Sequence, residues 1–410
     1  VGSAQKHRTH WLKRPVVLEL SSMQRIPVQN PDGTPAMPTK SSRAQRWVAQ
    51  GKAQWVKTNL RIKAVRLKAE PSGRNTQPIV VGVDPGKLYS GIAVQSAQAT
   101  LFQSHLELPY PRVRERMDHR RMLRRSRRSR RINRELPFQL RNHRQKRFNN
   151  RKQQKVPPSI RANRDLEFRV VQELSQLFPI ATIGYEKVRA DVDLTSGRKG
   201  AKSGKGFSPV MVGQAYAIEK MEQIAPVYTR YGWQQDGNGT AQLRSTLGLK
   251  KSQDKAEQIP QTHAVDGIAL ACGYFIEYRP FHRKRSHGYL WFGEVKLTSA
   301  PFVVIKRPPI SRRQLHLMVP RQKGLRRKYG GTVTRHGFRK GDLVRAEMAG
   351  RVSVGYVSGD TTRQVSVSEF TWKRIGQFSA AKVEPLYRAT GILVSCPQRL
   401  SVSGAFNPAA

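Results

Sequence analysis

The stretch Ile79-Val80-Val81-Gly82-Val83-Asp84-Pro85-Gly86 is an apolar strand pattern that ends at one carboxylate. Proline and glycine directly after Asp84 predict a turn, so the strand presents this carboxylate at its end. Two further acidic residues have similar settings: Glu186 follows an apolar strand pattern, and Asp266 lies in an apolar helical run. Three carboxylates that converge on divalent metal ions would form a site for phosphodiester hydrolysis.

The charge balance of the chain is strongly basic. Lys and Arg total 75 against 27 acidic residues, which gives a formal net charge of +48 in 410 residues. Such an excess predicts a polyanionic partner. The hydrophobic fraction of 38% is enough for real cores, and a chain of this length usually divides into several units.

Cysteine usage and hydropathy predict a cytoplasmic protein that has no membrane partner. Cys272 and Cys396 are the only cysteines, so a disulfide framework and a four-thiolate zinc site are both excluded. No apolar stretch approaches the roughly 20 residues of a membrane span. Residues 1–22 show little periodicity, and we interpret them as an N-terminal extension without a functional role.

Residues 23–76 are predicted to form a small α+β domain with a basic face. The motif Pro35-Ala36-Met37-Pro38 precedes a short helix that should begin at Ser41 or Ser42. Strands are predicted at residues 54–57 and 61–67.

The acidic residues lie in an alternation of strands and helices typical of an α/β fold. Residues 77–111 contain two strands around the turn at residues 85–87, and they resemble the first hairpin of an RNase H-like sheet. Residues 158–280 predict helices over 159–178 and 211–224, strands before Glu186 and at 226–228, and a helix around Asp266 that runs to Ile276.

An arginine-rich helix is predicted between these two segments, within residues 112–157. Only Glu115 and Asp118 oppose its charge between Arg112 and Arg134, so the helix would repel itself without a nucleic acid. A charged helix in solvent and a ribosomal type of RNA contact are the alternatives. The candidate RNA- or DNA-binding residues are Arg116, Arg120, Arg121, Arg124, Arg125, Arg127, Arg128 and Arg131.

The C-terminal part divides into two segments. Residues 281–329 carry basic clusters separated by prolines and are interpreted as a basic connector. Residues 330–410 show alternation and turns, which predicts a small β-barrel.

The candidate catalytic residues are Asp84, Glu186, His263 and Asp266. Asp84, Glu186 and Asp266 would hold two Mg²⁺ ions, or Mn²⁺ in their place, about 3.5–4 Å apart. His263 lies three residues before Asp266, so on a helix both would share one face, with His263 as general base. The alternatives are a turn aspartate, a solvated acid at a strand end, and a helix cap or surface pair.

The motifs Gly-Val-Asp-Pro-Gly, Gly-Tyr-Glu and His-Ala-Val-Asp, in this order around an arginine-rich helix, resemble the split RuvC nuclease of RNA-guided effectors. Pro35-Ala36-Met37-Pro38 resembles the Pro-Leu-Met-Pro (PLMP) domain that opens the transposon-encoded IscB and IsrB proteins. IscB proteins carry an HNH nuclease, which requires histidines, whereas residues 187–262 contain neither histidine nor cysteine. The resemblance is therefore to the IsrB family.

This resemblance implies an RNA-guided DNA nickase with an RNase H-like (RuvC) core that is split by the arginine-rich bridge helix. A long non-coding guide RNA (omega RNA) would pair with one DNA strand, and the RuvC site would nick the displaced, non-target strand. The C-terminal domain would contact a short motif adjacent to the double-stranded target. The particle would be a monomeric ribonucleoprotein, associated with the prokaryotic nucleoid when on its target.

Two other functions stay open from the residues. A guide-free RuvC-like nuclease that recognises branched DNA by shape would use the same acidic residues, but it would not require the flanking basic modules. A non-enzymatic RNA-binding protein on a decayed nuclease scaffold would not require the intact acidic set.

Overall fold

The structure is a computed structural model that describes residues 16–18, 25–130, 133–141, 156–189, 209–283, 286–310, 315–318 and 326–396. It is a mixed α/β structure with several sheets. The chain forms two compact units: unit 1 comprises residues 1–58 and 62–302, and unit 2 comprises residues 59–61 and 303–410. None of the helices in the described part of the chain has the length and apolar character needed to cross a membrane.

Unit 1 contains six helices and thirteen strands within its described residues. The helices are α1 (Ser41–Ala49), α2 (Tyr110–Arg130), α3 (Pro158–Ser175), α4 (Pro209–Met221), α5 (Thr240–Thr246) and α6 (Ala264–Cys272). The strands are β1 (Val16–Leu18), β2 (Arg25–Gln29), β3 (Pro35–Lys40), β4 (Ala53–Lys57), β5 (Lys63–Leu67), β6 (Ile79–Asp84), β7 (Tyr89–Ser96), β8 (Ala99–Glu107), β9 (Ile180–Lys187), β10 (Val227–Tyr231), β11 (Ile276–Arg283), β12 (Ser286–Gly293) and β13 (Val295–Leu297).

The N-terminal part of unit 1 is a four-stranded sheet in the order β3-β2-β5-β4, against which α1 packs. Ile26, Val28 and Ala44 belong to its core. The predicted helix start at Ser41 is confirmed. The strand predicted from Arg61 begins at Lys63 instead, because Arg61 has a φ of 58°, in the left-handed region where a strand cannot continue.

The central sheet of unit 1 has the strand order β10-β9-β6-β7-β8. Strands β6, β7 and β8 are antiparallel neighbours, whereas β9 runs parallel to β6 and β10 runs parallel to β9. The predicted hairpin is confirmed, and β8 is an element that the sequence analysis missed. Its polar residues Gln103, Ser104 and His105 are buried, so the strand lacks the outward polar alternation that identifies a half-buried strand.

The helices of unit 1 follow the predicted order with shifted ends. Helix α3 packs against α4, and α6 lies across β6 and β7. The helix around Asp266 was predicted to run to Ile276, but α6 ends at Cys272 and Ile276 begins β11. Strand β11 pairs with β12 over eight residue pairs, and β1 pairs with β13 in parallel. Unit 1 thus continues to Phe302, beyond the predicted end of the α/β core near residue 280.

Unit 2 is built from strands in its described residues. They are β14 (Phe302–Lys306), β15 (Leu315–Met318), β16 (Arg326–Tyr329), β17 (Leu343–Met348), β18 (Arg351–Asp360), β19 (Gln364–Ser368), β20 (Arg374–Ser379), β21 (Val383–Tyr387) and β22 (Leu393–Ser395). Five of them form an antiparallel sheet in the order β20-β19-β18-β17-β21, whose core includes Val344, Val357 and Val367. Within the described residues this sheet is open, with β20 and β21 as its edges, where the sequence predicted a β-barrel.

Candidate active site

Asp84 is the last residue of β6, after five buried positions, and its side chain is 14% exposed. The turn that follows it is held in place by neighbouring residues. Ser90 Oγ donates to the backbone carbonyl of Asp84 at 2.6 Å, and Arg164 of α3 donates to the carbonyl of Gly86 at 2.5 Å. The strand end and its turn therefore fix the position of this carboxylate.

Glu186 lies beside Asp84 because β9 runs parallel to β6 with Val83 opposite Tyr185. The two carboxyl groups lie close enough for each to shift the pKa of the other. Burial, and then the charge of Asp84, raise the pKa of Glu186 well above its usual range. Burial also raises the pKa of Asp84, but the interactions with His263 and Glu186, together with the charge of Lys251, lower it by more. The pair therefore favours one shared proton over two ionised carboxylates.

Glycine residues bring the start of α6 onto this sheet edge. A Cβ on Gly82 of β6 would overlap the carbonyl oxygen of Gly267, and a Cβ on Gly91 of β7 would overlap that of His263. Only glycine permits this approach of backbone to backbone. As a result, His263 Nδ1 lies 3.4 Å from Asp84 Oδ2, and His263 Nε2 lies 3.3 Å from the carbonyl oxygen of Lys255.

Asp266 has a different environment from the one predicted. It is 2% exposed, and its two carboxylate oxygens pair with Arg244 of α5 and with Lys251. His263 is the N-cap residue of α6 rather than a residue on the helix face of Asp266. The structure thus brings Asp84, Glu186 and His263 together, and the charge of Asp266 also raises the pKa of Glu186, although the oxygens of Asp266 pair with two cations. Among the residues that the structure describes, no group of three or more His, Cys, Asp or Glu side chains is arranged to hold a metal ion.

The chemistry of the Asp84 and Glu186 pair nevertheless fits a divalent cation. Carboxylate oxygens are the ligands that Mg²⁺ and Mn²⁺ prefer. Two adjacent carboxylates of low exposure cannot both ionise without added positive charge, and here a proton supplies it. The charge of Lys251 lowers the pKa of both groups. A divalent cation in place of the shared proton would neutralise both carboxylates.

A second histidine packs against His263. His105 of β8 is fully buried, its Nδ1 lies 3.0 Å from Thr262 Oγ1, and its ring meets that of His263 edge-on at 5.3 Å between centroids. Burial, and then the charge of His263, lower the pKa of His105 to about 4, so this ring is neutral at physiological pH. Tyr89 packs on both histidine rings. These contacts limit the orientations that His263 can adopt.

Three residues of the site were not predicted from the sequence: Arg244, Lys251 and His105. Lys251 stood out only as part of a polar segment before α6, and Arg244 lies on a short helix with no motif around it. His105 could have been noticed as a histidine inside a strand pattern, but its neighbour in space is 158 positions away in the chain. Contacts between distant segments give no local signal.

The arginine-rich helix is confirmed as α2, which ends at Arg130. The side chains of Arg116, Arg120, Arg121, Arg124 and Arg125 are exposed. Arg127 and Arg128 lie on the helix, but their side chains are outside the described part of the structure, and Arg131 is outside the described residues altogether. The helix therefore presents a dense row of guanidinium groups to solvent.

Comparisons with known proteins give one family match and several structural neighbours. The model of a family described as RRXRR protein matches residues 26–206, less than half of the chain. This range contains Asp84, α2 and Glu186, and the sequence Arg124-Arg125-Ser126-Arg127-Arg128 has the arrangement in the family name. No curated protein matches the chain at a significant level.

Two of the matching solved structures are of RuvC from Thermus thermophilus. One is titled as a complex with a Holliday junction substrate, with a TM-score of 0.25, and the other as the RuvC structure, with a TM-score of 0.23. Both are 14% identical to this chain, and each alignment covers 48% of this chain and 92% of the RuvC chain. Scores this low do not establish a shared function.

Proposed function

We propose that this protein is an RNA-guided DNA endonuclease that nicks the non-target strand of double-stranded DNA at a RuvC-type site. The observation that carries the proposal is the pair of Asp84 and Glu186 at one sheet edge, with His263 against Asp84. The RRXRR match supports it, because that family occurs in IscB- and IsrB-like proteins and the match spans both carboxylates and α2.

Each residue of the site has a distinct role in this reaction. When bound, Mg²⁺ or Mn²⁺ would polarise the scissile phosphate and stabilise the charge that develops on it. Asp84 and Glu186 would hold the metal, and Asp266 would join them as the third carboxylate. His263, as general base, would accept the proton of the attacking water in the tautomer whose Nδ1 carries no proton, once Asp84 has turned from His263 to the metal. Lys251 and Arg244, released from Asp266, would remain close to the negatively charged strand.

We propose that the basic surface of α2 binds the guide RNA. The exposed arginines of α2 suit bidentate phosphate contacts, because the guanidinium group is a rigid fork of donors. A long non-coding RNA would bind there and pair with the target strand, and unit 2 would contact the motif adjacent to the target. We propose that the particle is a cytoplasmic, monomeric ribonucleoprotein.

The test is strand-specific nicking of a supercoiled plasmid by the protein purified with its RNA, using Glu186→Gln. Because burial and the charge of Asp84 favour the neutral form of Glu186, the neutral glutamine can take its place beside Asp84 and should leave folding intact. It cannot supply a carboxylate to a metal ion, so we expect nicking in Mg²⁺ to fall at least about a thousandfold.

The matched control is Glu219→Gln, the same change at an exposed position on α4, which should nick like the wild type. Unchanged nicking by Glu186→Gln would contradict the site. Wild-type cleavage that needs no RNA and prefers branched DNA would favour a guide-free nuclease. Absence of any nicking, with bound RNA of mixed origin, would favour an RNA-binding protein.

A further inference from the structure

An open cleft of about 760 Å³ lies beside Glu186 in unit 1. On one side it is lined by the end of β9 and the residues after it, including Lys187 and Arg189. On the other side it is lined by the loop that follows β10, which carries Trp233. The active-site chemistry described above uses only Glu186 of these residues, so the remaining walls need a separate explanation.

Trp233 is the most exposed large aromatic side chain in the described part of the chain, with 66% of its surface accessible. Its loop is nevertheless held by several hydrogen bonds. Gln234 N donates to Gln242 Oε1 at 3.1 Å, Gln242 Nε2 donates back to Gln234 O at 3.0 Å, and Ala241 N donates to Gly232 O at 2.8 Å. The loop thus has a defined backbone, and it exposes a large aromatic ring that a partner could contact.

The same loop is anchored on the hairpin of β11 and β12. Asn238 Oδ1 accepts from the backbone N–H of Tyr278, and Asn238 Nδ2 donates to the carbonyl of Tyr278, both at 2.8 Å. Gly237, with a φ of +78°, leaves room for the ring of Tyr278, because a Cβ there would overlap it. The loop that carries Trp233 is therefore held by two separate elements.

The loop also lies directly against the catalytic carboxyl group. A Cβ built on Gly232 would be 3.0 Å from Glu186 Oε1, so any larger residue would crowd the carboxyl group. Trp233 is the next residue along the chain. Trp233 and Glu186 therefore line the same cleft.

The charges in the cleft favour a nucleic acid strand. The Arg189 guanidinium lies over the ring of Tyr231, 4.6 Å from its centroid, and Lys187 lies two residues earlier. Cations that can reach phosphates, next to an exposed aromatic face, are the two elements of single-strand recognition. A base inside a duplex offers no free face to an aromatic ring, so the strand in the cleft must be unpaired there.

We propose that Trp233 is a stacking subsite for an unpaired base of the DNA strand that is cut at Asp84 and Glu186. This inference rests on the proposed function, and it adds the means by which the displaced strand is held in register with the carboxylates. Stacking would fix one base beside the site, while Lys187 and Arg189 would contact the neighbouring phosphates.

The first test is photocrosslinking with 5-iododeoxyuridine placed at one position at a time along the displaced strand. We expect one or two adjacent positions, next to the nick, to crosslink to the peptide that contains Trp233. Crosslinks at Trp233 from iodouridine in the guide RNA, or none from the DNA strand, would overturn the proposal. If the wild type does not nick, the same experiment with a free single-stranded oligonucleotide still decides the stacking inference, separately from the proposed function.

The second test combines Trp233→Ala with removal of the base at the crosslinked position. Trp233→Ala should slow nicking of the preformed complex about tenfold, in the range of one base–aromatic stack, and Trp233→Phe should restore most of the rate. With an abasic nucleotide, the wild type should slow to the rate of Trp233→Ala, and that variant should not change further. Independent effects of the two changes would contradict direct stacking.

Two controls exclude an effect of Trp233→Ala on folding and a general effect of losing an exposed tryptophan. Trp233 is mostly exposed, so Trp233→Ala should leave the melting temperature unchanged. Trp55→Ala removes another exposed tryptophan, 45% accessible, from β4. It should nick at the wild-type rate on both intact and abasic substrates, and an equal loss in this control would indicate a general effect of surface tryptophans rather than a subsite.

Discussion

The acidic sheet edge and the helix α2 use charge in opposite ways. At the edge, Asp84, Glu186 and Asp266 are largely removed from water, and each has charged or hydrogen-bonding neighbours. On α2, the described arginine side chains face solvent. Burial strengthens electrostatic interactions and shifts pKa values, whereas exposed charges are screened by salt. The comparison indicates that chemistry depends on the geometry of a few residues, and affinity on the number of cations.

Among changes that leave every candidate catalytic side chain in place, the largest effect is expected from breaking the packing that forms the acidic edge. Gly91→Ala would place a methyl group on the backbone carbonyl of His263, and neither backbone can yield without moving α6. We expect nicking to fall about a hundredfold, since a displacement of about 1 Å can have that effect, and the protein to lose about 3 kcal/mol of stability. Plasmid nicking and chemical denaturation measure the two effects.

Gly73→Ala is the matched control, because a Cβ at Gly73 meets no atom within 4 Å. It should behave like the wild type in both measurements. Normal nicking by Gly91→Ala would show that the reaction does not depend on the close contact between α6 and β7.

The next effect is the pH dependence of stability that the buried residue Glu167 of α3 causes. Glu167 is fully buried and pairs with Arg164 at 2.9 Å. Burial raises the pKa of Glu167 from 4.5 to about 7, even though Arg164 opposes the shift. Between these values the folded protein binds more protons than the unfolded chain, so its stability falls as pH rises through this window and levels off above it.

Glu167→Gln removes this contribution. Between pH 5 and pH 8, the stability of the wild type should therefore fall by up to on the order of 3 kcal/mol more than that of the variant. Unfolding in urea at several pH values measures the difference, with Glu219→Gln as an exposed control. Parallel profiles for wild type and Glu167→Gln would mean that the carboxyl group is ionised throughout.

The smallest effect is expected on α2, spread over many contacts. Replacing Arg120, Arg121, Arg124 and Arg125 with glutamine should weaken RNA binding at moderate salt by roughly tenfold. It should also reduce the slope of log affinity against log salt by about 3, since four phosphate contacts would be lost. Filter binding over a series of salt concentrations measures both. The charge-matched control replaces the exposed cations Arg43, Arg46, Lys52 and Lys68 with glutamine. An equal loss of RNA affinity in this control would mean that α2 contributes no more to binding than other basic surfaces.

The same contrast explains how much could be predicted from the sequence. The position of Asp84 at a strand end was predictable because an apolar strand, an acid and a turn follow one another in the sequence. The arginines of α2 were predictable because composition alone identifies such a helix. Glu186 was predicted from its place after a strand pattern, and the parallel pairing of β9 with β6 puts it beside Asp84. In each case the signal is local.

The remaining features depend on contacts between distant segments. The pairing of Asp266 with Arg244 and Lys251, and the packing of His105 on His263, have no motif in the sequence. Strand β8 was missed because its polar residues are buried in the sheet. The sheet of unit 2 is open where a barrel was predicted, since alternation identifies strands but not whether the first and last of them pair.

The most direct test of the central claim is a side-by-side measurement of bound RNA and of nicking in Glu186→Gln and in the quadruple arginine variant of α2. The account predicts that Glu186→Gln retains the RNA at the wild-type level and does not nick. It predicts that the arginine variant loses RNA as salt is raised, yet nicks at the wild-type rate once RNA is supplied in excess. Loss of RNA by Glu186→Gln, or nicking by it at the wild-type rate, would contradict the separation of chemistry from affinity.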